Sequence, residues 1–340
     1  MGIEKKMTRI RRFAGVGVAA VAVVALAAAC VADPDAAPAP PGKTKLRIAT
    51  SLVDSIPYMT ILQVAANKGW FSDAGLDVTI TNSASGGDAV RLVTSGEADI
   101  TMAGPDAVYK AATSPDSDMT IMGSWFEHNV AEWIAAKPGV QLQGAKLGVT
   151  GAGSTGEFLI KAINAAHPEL NLQEVVIGGL GPNWDAAKAG QIDGAYAAEP
   201  QSQSLIAEGG TILLQPADII GDLPVNLAAV RTSYATENPD AVKAFWTVAD
   251  KAFTYIRNDT ANAITDINAI IKMDAGLLGK SMDAMLKYDT SFTIKTDCAG
   301  FKNLATQWVA TGATATAVDW STVMDQQYLP EDARCDFKAA

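Results

Sequence analysis

Two histidines and three cysteines are all that 340 residues hold of the side chains most often used to ligate metals or to move protons near neutral pH. There is no C-x-x-C pair, no metal-ligand spacing and no nucleophile elbow, so no metal site, no catalytic constellation and no cofactor is expected. Positive charge is also scarce: 26 basic residues face 37 acidic ones, for a net charge of -11. Such an acidic chain argues against nucleic acid or an anionic lipid surface as a partner. It does not argue against a small ligand in a local pocket.

The basic residues that exist are concentrated at the start. Lys5, Lys6, Arg9, Arg11 and Arg12 precede an uncharged run from Phe13 to Ala29, and small residues lead into Cys30. This order is that of a secretory signal over residues 1–29; a bilayer span would need ~20 apolar residues. Arg11-Arg12-Phe13 leaves the general secretory and twin-arginine routes both open. "LAAAC" (Leu26 to Cys30) resembles a bacterial lipobox, whose cysteine becomes the lipid-carrying first residue; an ordinary cleavage site beside an incidental cysteine is the alternative. Residues 30–44 hold "VADPDAAPAPPGK", a Pro/Ala-rich tether suited to a domain standing off a membrane. Without the basic start and Glu4, 21 basic and 36 acidic residues remain, a net charge of -15. Disulfides persist outside the cytoplasm. Cys298 and Cys335 then suggest one bridge, with two buried free thiols as the alternative.

About 310 residues follow the signal, more than one core usually serves, which points to two lobes. "TKLRIATS" and "LDVTI" alternate as strands around the helical stretch "YMTILQVAANKGWFSDAG". A unit then occurs twice. "TNSASGGDAVRLVTSGEADITMAGP" has a Gly-rich loop, a helix from about Asp88, the break "SGEAD", a strand and a turn at Pro105. "EVVIGGLGPNWDAAKAGQIDGAYAAEP" repeats that order, with a helix from about Asp185, the break "AGQID" and a turn at Pro200. Two similar α/β lobes facing each other make a cleft, because ligands of open α/β sheets sit at the C-terminal ends of strands. Closure on a hinge would trap the ligand.

"GVTGAGSTGEF" (Gly148 to Phe158) contains G-x-G-x-x-G. It lacks the company of a nucleotide turn. No acidic residue follows the next strand "VVI" to hold a ribose, and Glu157 and Phe158 stand where a P-loop requires Lys and Ser/Thr. Ser154 is a natural N-cap, with Glu157 three residues on. A helix start here offers free N–H groups and a positive dipole end, suited to an anion.

Four runs in order, "AANKGWFSDAGLDVTI", "SGGDAVRLVTSGEADI", "GVTGAGSTGEFLIKAI" and "AAKAGQIDGAYAAEP", resemble the extracytoplasmic substrate-binding proteins of ABC importers. The branch is that of taurine, aliphatic sulfonates, nitrate and the thiamine pyrimidine precursor. The likeness runs from about Leu46 to Ile256. It implies an α/β periplasmic-binding-protein fold of type II, with lobe 1 over 45–135, lobe 2 over 136–230, and 231–340 returning to lobe 1 with C-terminal helices. In the returning helix "NPDAVKAFWTVADKAFTYIR", the stripe Val242, Phe245, Trp246, Ala249, Phe253 and Ile256 is core. The resemblance also implies a monomer that passes a small molecule to a permease and a cytoplasmic ATPase, outside the cytoplasm and held to the membrane by lipid on Cys30.

Contact residues carried over onto the glycine turn are Gly153, Ser154 and Thr155. Other loops would face the same cleft: Ser55 and Tyr58 after the first strand, Gly86 and Gly87 as a second anion nest, and Gly104 and Pro105. Trp125 and Trp184 are candidate aromatic walls, and Glu199 could meet a ligand amine. Glu127 and His128 fall near the expected hinge, with His128 expected at the surface. A sulfonate or taurine-like zwitterion is the leading ligand class. A pyrimidine precursor or other heterocycle is the alternative, and a pyrimidine-precursor synthase is the enzyme reading, disfavoured by the export signal and the scarcity of Cys and His.

Overall fold

The computed structural model describes residues 42–338 except 129, 152 and 153. The signal, Cys30, most of the tether and Gly153 therefore lie outside the described residues. In chain order the first elements are β1 (Thr44–Ser51), α1 (Pro57–Asn67), α2 (Trp70–Asp73), β2 (Leu76–Ser83), α3 (Gly86–Thr94), β3 (Ile100–Ala103), α4 (Pro105–Ala112) and β4 (Met119–Phe126). Next come β5 (Ala131–Ala135), β6 (Lys146–Val149), α5 (Thr155–Ala166), β7 (Gln173–Val176), α6 (Leu180–Ala189), β8 (Ala195–Ala198), α7 (Gln201–Ala207), β9 (Thr211–Leu214) and α8 (Ala217–Ile220). The last are β10 (Asn226–Arg231), α9 (Thr232–Glu237), α10 (Pro239–Asn258), α11 (Thr260–Ile271), α12 (Ala275–Met285), α13 (Cys298–Ala310) and α14 (Trp320–Val323).

The fold is α/β, with a mixed five-stranded sheet in the first lobe and two smaller sheets in the second. The first has the order β2-β1-β3-β10-β4, with β1 parallel to β2 and β3, and β10 antiparallel to β3 and β4. In the second lobe β5 pairs antiparallel with β8 and β9, and β6 pairs parallel with β7. A parallel bridge from Leu147 to Gly194 seats β6 beside the start of β8. Sheet membership corrects the expected lobe limits of 135/136 and 230/231. β5 belongs to the second sheet and β10 to the first, so the chain crosses over between Phe126 and Ala131 and back between Leu214 and Asn226. Both strands are short and mostly apolar, and nothing within either marked which sheet it would join.

Strand alternation builds the cores. On β1, Leu46 and Ile48 face one side, with Ile100, Met102, Ala228 and Val230, under α1, α10, α11 and α12. Ala49, Ala103, Leu227 and Ala229 face the other side, toward α3, α4 and α13. The stripe Val242, Phe245, Trp246, Ala249, Phe253 and Ile256 on α10 is buried. α6 begins at Leu180, not near Asp185. Pro182 is tolerated in a first turn, and the Asn183 amide secures that turn by donating to the Gly178 and Gly179 carbonyls at 2.8 and 3.1 Å.

Asn183 also bears on a testable packing constraint. A Cβ placed on Gly148 would stand 2.7 Å from Ile192 Cδ1 and would collide with Asn183 Oδ1. Asn183 has no exposed surface and is held by three hydrogen bonds, so it cannot move aside. Gly148→Ala is expected to cost about 1–3 kcal/mol by overpacking. Urea unfolding should show a lower midpoint at unchanged slope.

Candidate functional site

Because β1, β2 and β3 run parallel, the turns that follow them share one edge of the first sheet. Those turns lead into α1 with Tyr58, α3 with Gly86 and Gly87, and α4 with Gly104 and Pro105. In the second lobe β6, β7 and the start of β8 are also parallel, so Ser154, Gly178, Gly179 and Glu199 share an edge. Each helix start on these edges presents backbone N–H groups without an intrahelical partner.

The two edges meet. A Cβ on Gly104 would lie 3.9 Å from Thr155 Oγ1, so the hydroxyl at the first position of α5 faces the backbone at the start of α4. A Cβ on Gly86 would lie 3.6 Å from Gly104 N, so the starts of α3 and α4 adjoin. Gly87 follows, exposed, and Pro105 fills the first helical position of α4. Ser154 caps α5, accepting from Glu157 N at 3.3 Å. Ser154, Asp106 and Thr311 line a pocket of about 210 Å³ between α4, α5 and the end of α13. Burial pushes the Asp106 carboxyl up, against donation from Trp308 Nε1.

Tyr58 is buried at the start of α1 and stacks on Phe126 at 4.1 Å between centroids. Burial, and then the neighbouring Tyr196 phenol, disfavour its ionisation. Tyr196 is the residue that sequence reasoning missed. It lies on β8, edge-on to Trp133 at 5.3 Å. A Cβ on Gly156 would stand 3.2 Å from its ring, so only glycine lets the first turn of α5 lie against it. Burial pushes its phenol up to about 12. Its alternation with Ala195 and Ala197 marks a half-buried face, the one sequence signal it carries.

Other candidates take different places. Ser55 is exposed and donates to Asp54 Oδ1 at 2.8 Å. Trp125 is not a cleft wall. It has no exposed surface, lies 4.8 Å from the Phe253 ring, and donates its indole N–H to the Tyr58 carbonyl at 2.7 Å, bracing Tyr58 from behind. Trp184 is likewise core: its ring lies under Gly210 and its N–H donates to Glu208 Oε2 at 2.6 Å. Both indoles bury a large apolar face and satisfy the N–H internally, which leaves neither a face to a ligand. Glu199 is buried just past β8, where Oε1 accepts from Gln203 at 2.7 Å while Oε2 is unpartnered among the described residues. Burial raises its carboxyl, against donation from Gln203.

The crossovers hold a second polar group. Glu127, 2% exposed, accepts from Asp297 N at 2.8 and 2.9 Å and from Ser124 Oγ. Burial pushes it up to about 8. His128 is not at the surface: its ring stacks on Tyr288 at 3.4 Å, and its Nδ1 lies 2.8 Å from Asp222 Oδ1 on the return crossover. Cys298 and Cys335 form a disulfide, with Cα atoms 5.4 Å apart. Among the described residues no group of three or more His, Cys, Asp and Glu is placed to hold a metal ion.

A family model described as "NMT1/THI5 like" matches residues 56–263, which span both lobes and every helix start at the meeting edges. The chain belongs to this family. Its relatives include YtlA of Bacillus subtilis (strain 168), 25% identical over 235 residues, covering 66% of this chain and 69% of that protein. Among solved structures, the periplasmic aliphatic sulphonate binding protein SsuA of Escherichia coli matches with a TM-score of 0.66 at 14% identity, covering 86% of this chain and 96% of that one. A ligand binding component of an ABC-type import system from Staphylococcus aureus matches with a TM-score of 0.68 at 14% identity, covering 86% and 100%. At such identities the likeness establishes the fold, which is that of periplasmic binding proteins. Among the described residues no helix is long and apolar enough to cross a membrane.

Proposed function

We propose that this NMT1/THI5-like chain is the solute-binding component of an ABC importer. It captures a small organic anion or zwitterion of the sulfonate class outside the cytoplasm and hands it to a permease driven by a cytoplasmic ATPase. The observation that carries this reading is the approach of Thr155 on α5 to Gly104 on α4. It brings hydroxyls and free N–H groups from helix starts of both lobes to one place, an arrangement that holds a small oxyanion without a fixed cation. SsuA, named for aliphatic sulphonates, supports the ligand class as a structural neighbour.

The role of each residue follows from its position. Ser154 and Thr155, with Gly153 before them, would seat the charged head. The starts of α3 and α4, at Gly86, Gly87, Gly104 and Pro105, would close over it from the first lobe, and Ser55 lies on the rim. The unpartnered Oε2 of Glu199 would suit an ammonium on the far end of a zwitterion. The heterocycle reading is weaker, because Trp125 and Trp184 are committed to the cores. The chain acts as a carrier and not as an enzyme, tethered through Cys30.

A thermal-shift panel on the full chain tests the ligand class. A true ligand at a hundred times its dissociation constant should add about 2.7 kcal/mol. Taurine and short alkanesulfonates are expected to raise the melting temperature and pyrimidines are not; the reverse pattern would overturn the sulfonate reading. Thr155→Ala should weaken a sulfonate by about 1.5–3 kcal/mol, as for a hydrogen bond to a charged group, measured by calorimetry.

A further inference from the structure

Tyr196 has a place that the sulfonate reading does not use. Its ring lies against Gly156, one residue beyond Thr155, and its edge is fixed by Trp133 at 5.3 Å. Thr155 faces Gly104 at the end of β3. Tyr58 stands at the end of the neighbouring parallel strand β1. The approach of Thr155 to Gly104 therefore sets Tyr196 of the second lobe on the same side of the meeting edges as Tyr58 of the first, near enough for its phenol to disfavour ionisation of Tyr58. The rings are held from behind, Tyr58 by stacking on Phe126 at 4.1 Å and Tyr196 by Trp133. Neither hydroxyl has a hydrogen-bond partner among the described residues.

We propose that Tyr58 and Tyr196 form a two-tyrosine clamp, one hydroxyl from each lobe, that donates to the oxygen atoms of the ligand's head and determines its specificity. The proposal rests on the sulfonate-class reading for the nature of that head. Neither hydroxyl oxygen is a buried unpartnered atom, so each stays accessible and free to donate, and an oxyanion between the two supplies acceptors to both. Because the two donors come from different lobes, the same contact also favours the closed form over the open one. Burial keeps both phenols protonated, and so able to donate, well above physiological pH.

The sulfonate is bound by hydrogen bonds from neutral groups. The clamp thus prefers a head with several acceptor oxygens and no bulk, as a sulfonate has, over a planar ring edge with one acceptor. Phenylalanine at either position keeps the ring packing and removes only the hydroxyl.

The test is calorimetry and thermal unfolding of the full chain with Tyr58→Phe, Tyr196→Phe and the double variant, probed with ethanesulfonate and taurine. Each single variant is expected to weaken the sulfonate 10- to 100-fold, the range for a lost hydrogen bond to a charged group. The melting temperature without ligand should stay the same, because neither hydroxyl is bonded in the free chain. Unchanged affinity in Tyr196→Phe overturns the clamp, as does a loss of affinity matched by a lower ligand-free melting temperature. If the wild-type chain binds a pyrimidine and ignores both sulfonates, and Tyr196→Phe still weakens that ligand tenfold, the clamp stands and the sulfonate reading falls.

Discussion

Replacing Cys298 and Cys335 together by serine is expected to lower stability by about 4 kcal/mol. The bridge joins residues 37 apart in sequence, and its removal returns that loop's freedom to the unfolded chain. For a chain of this size the loss corresponds to roughly 6 °C in melting temperature. The native tail should stay in place. Gln326 grips the Cys335 backbone from both sides at 2.9 Å, and Met324 bridges to Ile121 on the edge strand β4. The effect thus belongs mainly to the unfolded state, and the far-ultraviolet spectrum of the variant should match that of the wild type. Thermal unfolding with and without reductant checks this: wild type should shift and the double serine variant should not. A wild-type chain indifferent to reductant would show that the two thiols are not bridged in the isolated protein.

The second large effect is a fall in stability as pH rises through the neutral range. Glu127 is an acid whose folded value is raised to about 8, chiefly by burial, with Asp297 and Asp222 adding repulsion. In the unfolded chain a glutamate titrates near 4.3. Between these values the folded state holds a proton that the unfolded state has lost, so the contribution of this group to stability is greatest below about pH 4 and falls until about pH 8. One such group gives a slope of at most about 1.4 kcal/mol per pH unit. Glu127→Gln removes the titrating group while retaining an acceptor for the Asp297 N–H. Its stability should be flatter with pH, and it should exceed wild type above pH 8. Urea midpoints at pH 5.5, 7 and 8.5 for both chains decide it, since other carboxylates contribute equally to each. Parallel pH profiles would show that Glu127 holds no proton in the folded state. The location adds interest, because Glu127 and His128 sit where the chain first crosses between lobes, and Asp222 sits on the return.

Much of the architecture was legible because it rests on local pattern. β1 and α10 follow from alternation and from a helical stripe, and each is a property of a few consecutive residues. The cap at Ser154 was legible for the same reason: a hydroxyl residue followed three positions later by glutamate closes its own turn. The glycines of the second turn were also readable, though not their full reason. Gly156 is small because a tyrosine from β8, forty residues away in sequence, lies against it.

The errors share one cause. Trp125 and Trp184 are flanked by loop-like sequence, so both looked available to a ligand, yet their burial is set by Phe245, Phe253 and Gly210 from distant elements. His128 looked exposed because Tyr288, which covers it, lies far along the chain. Tyr196 was passed over because a lone tyrosine in an alternating strand carries no signal of what it faces.

The sequence alone determined the class of protein: an acidic, two-lobed α/β chain resembling the substrate-binding proteins of ABC importers, poor in the side chains of catalysis. Composition, periodicity and ordered motifs are additive properties of the chain and survive without a fold. Only the tertiary structure decided which strands belong to which lobe, which aromatics are core, and that Thr155 meets Gly104 while Tyr196 lies against Gly156. Those pairings depend on strand order and on the return of β10 to the first sheet, set by packing between segments that have no local trace of one another.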